Sequence, residues 1–398
     1  MNLSNHFRGL VPRVAFFTDS FHETNGVALT SRQFAAYAKS KFYPFFSVHA
    51  GPKTAHWKRG TFETFEIEHS KWHLKLEHDL AFDLLFARHR KELRNALKAF
   101  QPDLVHVTGP GHIGMLGAML AHELGVPLVA SWHTNIHEFG ARRLKKMLPT
   151  LPDSVMRTAE NVSLDLVVQF YRMAKVLFAP NPELVEMLAK RTGKPVHLME
   201  RGIDTDVFSP VHRTESEQPF TVGYVGRLSA EKNVRMLADL HAVLPECRFL
   251  IVGDGSERAW LQEKIPGAVM PGTLRGEELS QAYASMDAFV FPSETDTFGN
   301  VILEAAASGV PSIVSAQGGP KFLVEHGVTG FVARDAQEFT LAAELLRNPA
   351  LRARMGVAAR KKALGRRWDA VFDSVYRQYI FEPSCFIEHS RRGHGALA

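Results

Sequence analysis

At 398 residues, 45% hydrophobic and 22% charged, the chain is long for one core and divides most naturally between two domains. Its 29 Gly and 21 Pro follow no repeat, and no apolar run nears the roughly 20 residues that cross a bilayer, which sets fibrous and membrane-spanning classes aside. The net charge of +5 is uneven: residues 1–200 carry 25 Lys and Arg against 18 Asp and Glu, while residues 201–398 carry 22 against 24.

MNLSNHFRGLVPRVAFF lacks a continuous signal-peptide core, and Cys247 and Cys385 are too few for a disulfide framework. A reducing cytoplasm is therefore expected. The basic first half is the one expected to meet an anionic lipid surface or acidic glycan, against the plain alternative of a solvated surface. Basic residues are not interleaved with aromatics in a stacking pattern, so no nucleic-acid partner is expected.

RVAFFTD predicts the first strand, followed by a turn at Asn25-Gly26 and a helix from about Val27. Gly26 would let the backbone approach a phosphate, although a tight strand-to-helix turn uses the same residues. DLVHVTG predicts another strand, and Gly109 to Gly114 after it matches G-x-G-x-x-G. A nicotinamide or flavin site is a poor reading, because the motif is not in the first strand–helix unit and the next strand, VPLVASWH, ends in His133 and not in an acid. Ser131, His133, Thr134 and His137 gather at that strand end beside Trp132, which suggests a pocket, with a structural histidine as the alternative for His133. In FGARRLKKMLPTL (139–151), Leu144, Met147, Leu148 and Leu151 recur at helical spacing among four cations. Such a segment lies on an anionic membrane or packs on its own domain.

SPVHRTESEQP (209–219) is polar and without hydrophobic period, and reads as the linker. Asp204-Thr205-Asp206 matches a metal-binding D-x-D pattern but reads better as the organiser of an interdomain turn. Beyond it FTVGYVG, CRFLIVG, DAFVFPS and VPSIVSA predict buried strands alternating with helices, so both halves are expected to be doubly wound parallel sheets. GYVGRLSAEKN puts Arg227 and Lys232 in one strand-end loop, where two cations neutralise a diphosphate without a metal. IVGDGSE adds a flexible turn from Gly253 to Gly255. In SETDTFGNVILEA a helix is expected from Gly299 or Asn300, with Asp296 before it and Glu304 leaning back toward its start. A carboxylate placed like Glu304 can accept from adjacent ribose hydroxyls; an N-cap and an exposed helix residue are the plain alternatives for the two acids. Finally, Val371, Phe372, Val375, Tyr376 and Tyr379 form one apolar side of a last helix in 366–381.

SWHTN, RGIDTDVFSP (201–210), GRLSAEKN, VGDGSE and the Asp296-to-Glu304 spacing, in this order, resemble the retaining glycosyltransferases of family 4. The resemblance covers nearly the whole chain. Asp296 stands where the family usually has Glu, a variant similar to its mannosyltransferase-like members. The resemblance implies the GT-B fold, two Rossmann-like α/β domains facing across a cleft: residues 1–205 on the acceptor side, 206–367 binding the donor, and a helix in 368–398 crossing back. It implies that Arg227 and Lys232 bind the donor diphosphate, Glu304 the ribose, and Asp296 with the amides of Phe298, Gly299, Asn300 and Val301 the transferred sugar. Gly26 and Gly253 would approach the donor, Thr273 and Leu274 would meet the base, and His133 would sit over the sugar and assist the reacting centre. The implied activity is metal-independent, retaining hexosyl transfer, with GDP-mannose favoured, to a lipid-linked or glycan acceptor by a cytoplasmic enzyme peripheral on the inner membrane face, with no cofactor. The alternatives are UDP-sugar transfer to diacylglycerol or a small soluble acceptor, and a non-catalytic nucleotide-sugar binding protein.

Overall fold

The computed structural model describes residues 11–23, 25–68, 70, 72–77, 80–83, 85–133, 153–213 and 219–382. These form two compact units, one reaching Glu200 and resuming at Phe372, the other Arg201–Val371. Each has its own apolar core.

The first unit is built on β1 (Val14–Thr18), β2 (Phe45–Gly51), β3 (Ala55–Arg59), β4 (Phe62–Glu68), a separate hairpin of β5 (His73–Glu77) and β6 (Leu80–Asp83), then β7 (Leu104–Val107), β8 (Leu128–Ser131), β9 (Val176–Ala179) and β10 (Val196–Leu198). Its eight-stranded sheet has the order β10-β9-β8-β7-β1-β2-β4-β3, parallel except for the antiparallel edge strand β3. All residues of β1, β7, β8 and β9 are buried, as their continuous apolar runs require of strands covered on both faces. The second unit holds β11 (Thr221–Val225), β12 (Arg248–Val252), β13 (Val269–Gly272), β14 (Ala288–Phe291), β15 (Ser312–Ser315) and β16 (Gly330–Ala333). Their order is β13-β12-β11-β14-β15-β16, all parallel.

In both sheets the winding reverses beside the first strand: between β1 and β7 in one, between β11 and β14 in the other. Loops leaving the two neighbouring strands diverge there, and the crevice they open is where such sheets receive ligands.

The segment expected to be a linker belongs instead to the second unit. Pro210–His212 form a short 3-10 turn, and Arg213 then donates to Asp287 at 2.8 Å and to the Met286 carbonyl at 3.0 Å. Polarity was a poor guide at Arg213, whose guanidinium is satisfied by Met286 and Asp287 just before β14. Asp204 organises a turn, accepting from the amides of Asp206 and Val207 at 3.0 and 3.1 Å. The last helix, Trp368–Phe381, starts in the second unit and from Phe372 on packs in the first, where Phe372 stacks on Phe34 with ring centres 4.6 Å apart. Segment 139–151, Thr134 and His137 lie outside the described residues.

Candidate functional site

The second unit's switch point collects most of the residues singled out by sequence. The loop after β11 carries Arg227 and Lys232, and the loop after β14 carries Asp296; because β11 and β14 are neighbours, residues 64 positions apart meet. Lys232 Nζ lies 2.8 and 2.9 Å from the two Asp296 carboxylate oxygens. Side-chain exposures of 16% and 23% leave this pair sunken yet reachable from solvent. Burial works against ionising Asp296, but Lys232, with Ser293 and the Arg227 guanidinium, outweighs it and holds the carboxyl below its usual range. Arg227 itself is exposed and pairs with Glu231 at 3.1 Å, while Tyr224 donates to the Arg227 carbonyl at 3.0 Å and fixes the loop. Each cation of this cluster is thus set against an acid, Lys232 against Asp296 and Arg227 against Glu231.

Backbone contact tightens this crevice. A Cβ on Gly253 would fall 1.9 Å from the Gly226 carbonyl oxygen, so the turns after β11 and β12 touch only because residue 253 is glycine. A Cβ on Gly319 would fall 1.9 Å from the Thr297 carbonyl, and the Gly319 amide donates to Asp296 O at 2.7 Å, which holds the Asp296 loop down onto its neighbour. The helix Asn300–Ala307 follows, entered through Gly299 at φ 101° with no side-chain cap. Its first amides therefore point outward with their partial positive charge. Phe298 is buried under the Arg201 guanidinium, 5.7 Å from its ring centre, and Val301 packs against the core.

Glu304, half-buried on that helix, accepts from the Tyr283 hydroxyl at 2.7 Å. Burial pushes its carboxyl up, with the Tyr283 hydrogen bond opposing. The two acids are thus held apart, Asp296 on Lys232 and Glu304 on Tyr283. Of the remaining expected residues, Gly253 is buried, Thr273 is exposed after β13, and Leu274 packs partly on the core.

In the first unit Gly26 opens the helix Gly26–Ser40 and is exposed, behind the Asn25 side chain that caps the Ala28 amide at 2.9 Å. His133 is buried just beyond β8, its Nε2 2.7 Å from Ser131 Oγ. The glycine-rich Gly109–Gly114 loop does not present a free anion site. Asp19 after β1 accepts from the amides of Ile113 and Gly114 at 2.8 and 3.2 Å, so the chain's own carboxylate occupies the helix start that a pyrophosphate would need. Sequence reasoning missed Asp19, Tyr283 and Ser131's partner His106, because each pairing joins residues far apart in the chain. A lone histidine inside the apolar LVHV run was the available signal for His106.

Elsewhere in this unit His22, His49 and Glu66 bring potential ligand atoms within 4.8 Å of one another, at a cavity of about 230 Å³ also lined by Phe21, Trp57 and Phe62. His22 Nε2 lies 2.7 Å from Glu66 Oε1, which satisfies the buried carboxylate.

The chain matches the family described as Glycosyltransferase Family 4 over residues 54–207 and that described as Glycosyl transferases group 1 over residues 219–348. It is 37% identical over 299 residues to a GDP-mannose-dependent alpha-mannosyltransferase of Mycolicibacterium smegmatis, covering 73% of this chain and 76% of the relative. Over 295 residues it is 33% identical to a sulfoquinovosyl transferase of Arabidopsis thaliana, covering 69% and 56%. Among solved structures, sucrose-phosphate synthase from Thermosynechococcus elongatus superposes with a TM-score of 0.70 at 19% identity, over 92% of this chain and 98% of that one.

Proposed function

Because this chain belongs to glycosyltransferase family 4, with the GT-B fold, we propose that it moves mannose from GDP-mannose, with retention, to a lipid-linked or glycan acceptor. It is a glycosyltransferase; the donor, stereochemistry and acceptor are the finer reading. The observation that carries it is the sunken Lys232–Asp296 pair at the switch point, beside Arg227 and an uncapped helix start.

Departure of a nucleoside diphosphate leaves an oxocarbenium-like sugar and growing negative charge on the leaving phosphate. Lys232 and Arg227 would meet that charge as fixed cations, so the chemistry needs no metal or cofactor. On donor binding Lys232 turns to the phosphates and Asp296 is released toward the sugar hydroxyls, aided by the amides from Phe298 to Val301. Glu304 takes the ribose, Gly253 and Gly26 give room to the phosphates, and Thr273 and Leu274 border the base. His133 attends the transferred sugar. Retention follows if the acceptor attacks from the face the phosphate leaves, with the phosphate assisting.

A mannosyl donor is supported by the GDP-mannose-dependent relative, whereas the sulfoquinovosyl relative favours a second reading with a different sugar. An acceptor on the inner membrane face is supported by the basic, helically spaced residues of 139–151 and the excess cations of the first half. Among the described residues no helix is long and apolar enough to cross a membrane.

Calorimetric titration with GDP, UDP and their mannose, glucose and galactose esters tests the donor. GDP-mannose should bind tightest, and Lys232→Ala should weaken GDP about 10- to 150-fold, the worth of one charge-assisted contact of about 1.5–3 kcal/mol. Preference for a UDP-sugar would replace the donor, and unchanged GDP affinity in Lys232→Ala would remove the diphosphate site.

A further inference from the structure

Three side chains from separate parts of the first unit offer metal-binding atoms to one point. β2 and β4 are paired with His49 opposite Glu66, so both side chains leave the sheet on one face. His22 reaches them from the loop after β1. Its Nε2 lies 2.7 Å from Glu66 Oε1, His49 Nδ1 lies 4.0 Å from the same oxygen, and the three donor atoms are all within 4.8 Å of one another. No other three His, Cys, Asp or Glu among the described residues come this close.

The surroundings hold these donors in place. The Glu66 and His49 side chains are 6% and 3% exposed, whereas that of His22 is 51% exposed and has room to turn. Phe21 stacks on His49 with ring centres 3.9 Å apart and planes 3° apart, which fixes the imidazole. A Cβ on Gly51 would fall 2.0 Å from Glu66 Oε1, and Gly51 has no positive φ that would otherwise ask for glycine. Its bare backbone makes room for the carboxylate. Phe21, Trp57 and Phe62 line the adjoining cavity of about 230 Å³, an apolar shell of the kind that limits water around a metal.

We propose that His22, His49 and Glu66 bind one divalent transition-metal ion of the zinc class, with water as a fourth ligand. Two imidazole nitrogens and a carboxylate suit such an ion, whereas Mg²⁺ and Ca²⁺ take oxygen donors. Donors held by a tetrahedral zinc at about 2.0–2.1 Å stand about 3.3 Å apart, and the separations of 2.7 and 4.0 Å bracket that spacing. The ion replaces the hydrogen that joins His22 to Glu66. His49 Nδ1 lies 3.2 Å from the Ala50 carbonyl, at the long end of the hydrogen-bond range, and gives up that contact to present its lone pair with the hydrogen on Nε2. Zinc so held ties the loop after β1 to β2 and β4. The site goes beyond the transfer chemistry proposed above, which asks for no metal and calls on none of these three residues.

Calorimetric titration of the untagged, chelator-treated full chain with zinc chloride tests this, beside His22→Ala, Glu66→Gln and His122→Ala, an exposed histidine away from the cluster. Wild type and His122→Ala should each show one tight zinc per chain. His22→Ala and Glu66→Gln should lose that step or weaken it about 100-fold or more, beyond the cost of losing an outer partner of a ligand. Excess Mg²⁺ should leave the zinc in place. Absence of a tight step in wild type, an unaltered step in either cluster variant, or displacement by Mg²⁺ overturns the proposal. Circular dichroism of each variant should match wild type, so that a lost step reports the donor and not the fold. Should Glu66→Gln fail to fold, His22→Ala, at an exposed loop position, decides alone.

Discussion

The two acids eight positions apart, Asp296 and Glu304, are driven in opposite directions by their partners: a cation lowers one carboxyl and burial raises the other. Their effects on stability therefore have opposite signs. Asp296, depressed, adds stability that is present above the unfolded value of about 4 and lost as pH falls through its lower folded value. Glu304, raised, adds stability that is complete below about pH 4 and lost as pH rises through its folded value. Glu304→Gln keeps an acceptor for Tyr283 but cannot ionise, so its melting temperature should gain on wild type as pH rises from about 4 to about 7. A difference constant across that range would mean Glu304 is not strained by burial. The same variant should bind GDP more weakly if Glu304 holds the ribose. Both acids were legible from spacing and from the apolar neighbours around Glu304, but their partners were not. Lys232 is 64 positions from Asp296 and Tyr283 is 21 before Glu304, and only the strand order brings them together.

Whole elements were legible where one physical demand dominates. Strands buried on both faces must read as unbroken apolar runs, and RVAFFTD, DLVHVTG, FTVGYVG and CRFLIVG all became central strands. The 209–219 segment failed that logic because polarity marks solvent or a satisfied partner alike, and Arg213 has the partner. The last helix succeeded through its stripe: Phe372, Val375, Tyr376 and Tyr379 are all buried. Tyr37 adds a hydrogen bond to Asp373, and Tyr376 packs 4.8 Å from Tyr43. Since Phe372 is fully buried against Phe34, Phe372→Ala should destabilise by about 3–5 kcal/mol, the usual cost of emptying an aromatic site. Denaturant unfolding should show this loss. A change under about 1 kcal/mol would mean the helix contributes little to the first unit's core.

At the scale of the molecule, each unit repeats one topological device, a winding reversal beside its first strand, yet the two crevices are furnished differently. In the first, Asp19 fills the helix start after β7 with the protein's own negative charge; in the second, the helix start after β14 has no side-chain cap, and the loop before it sets Asp296 against Lys232. On the function proposed above, the anion is excluded from the first crevice and received by the second, although the sequence shows glycines in both. Hydrogen exchange can read this difference directly. GDP at about 100 times its Kd stabilises the unit that binds it by about 2.7 kcal/mol, which slows globally gated amides about 100-fold. That slowing is expected in β11, β12 and β14, while β1 and β7 keep their unliganded rates. Protection confined to β1 and β7 would place the nucleotide in the first unit and reverse the division of labour between the two sheets.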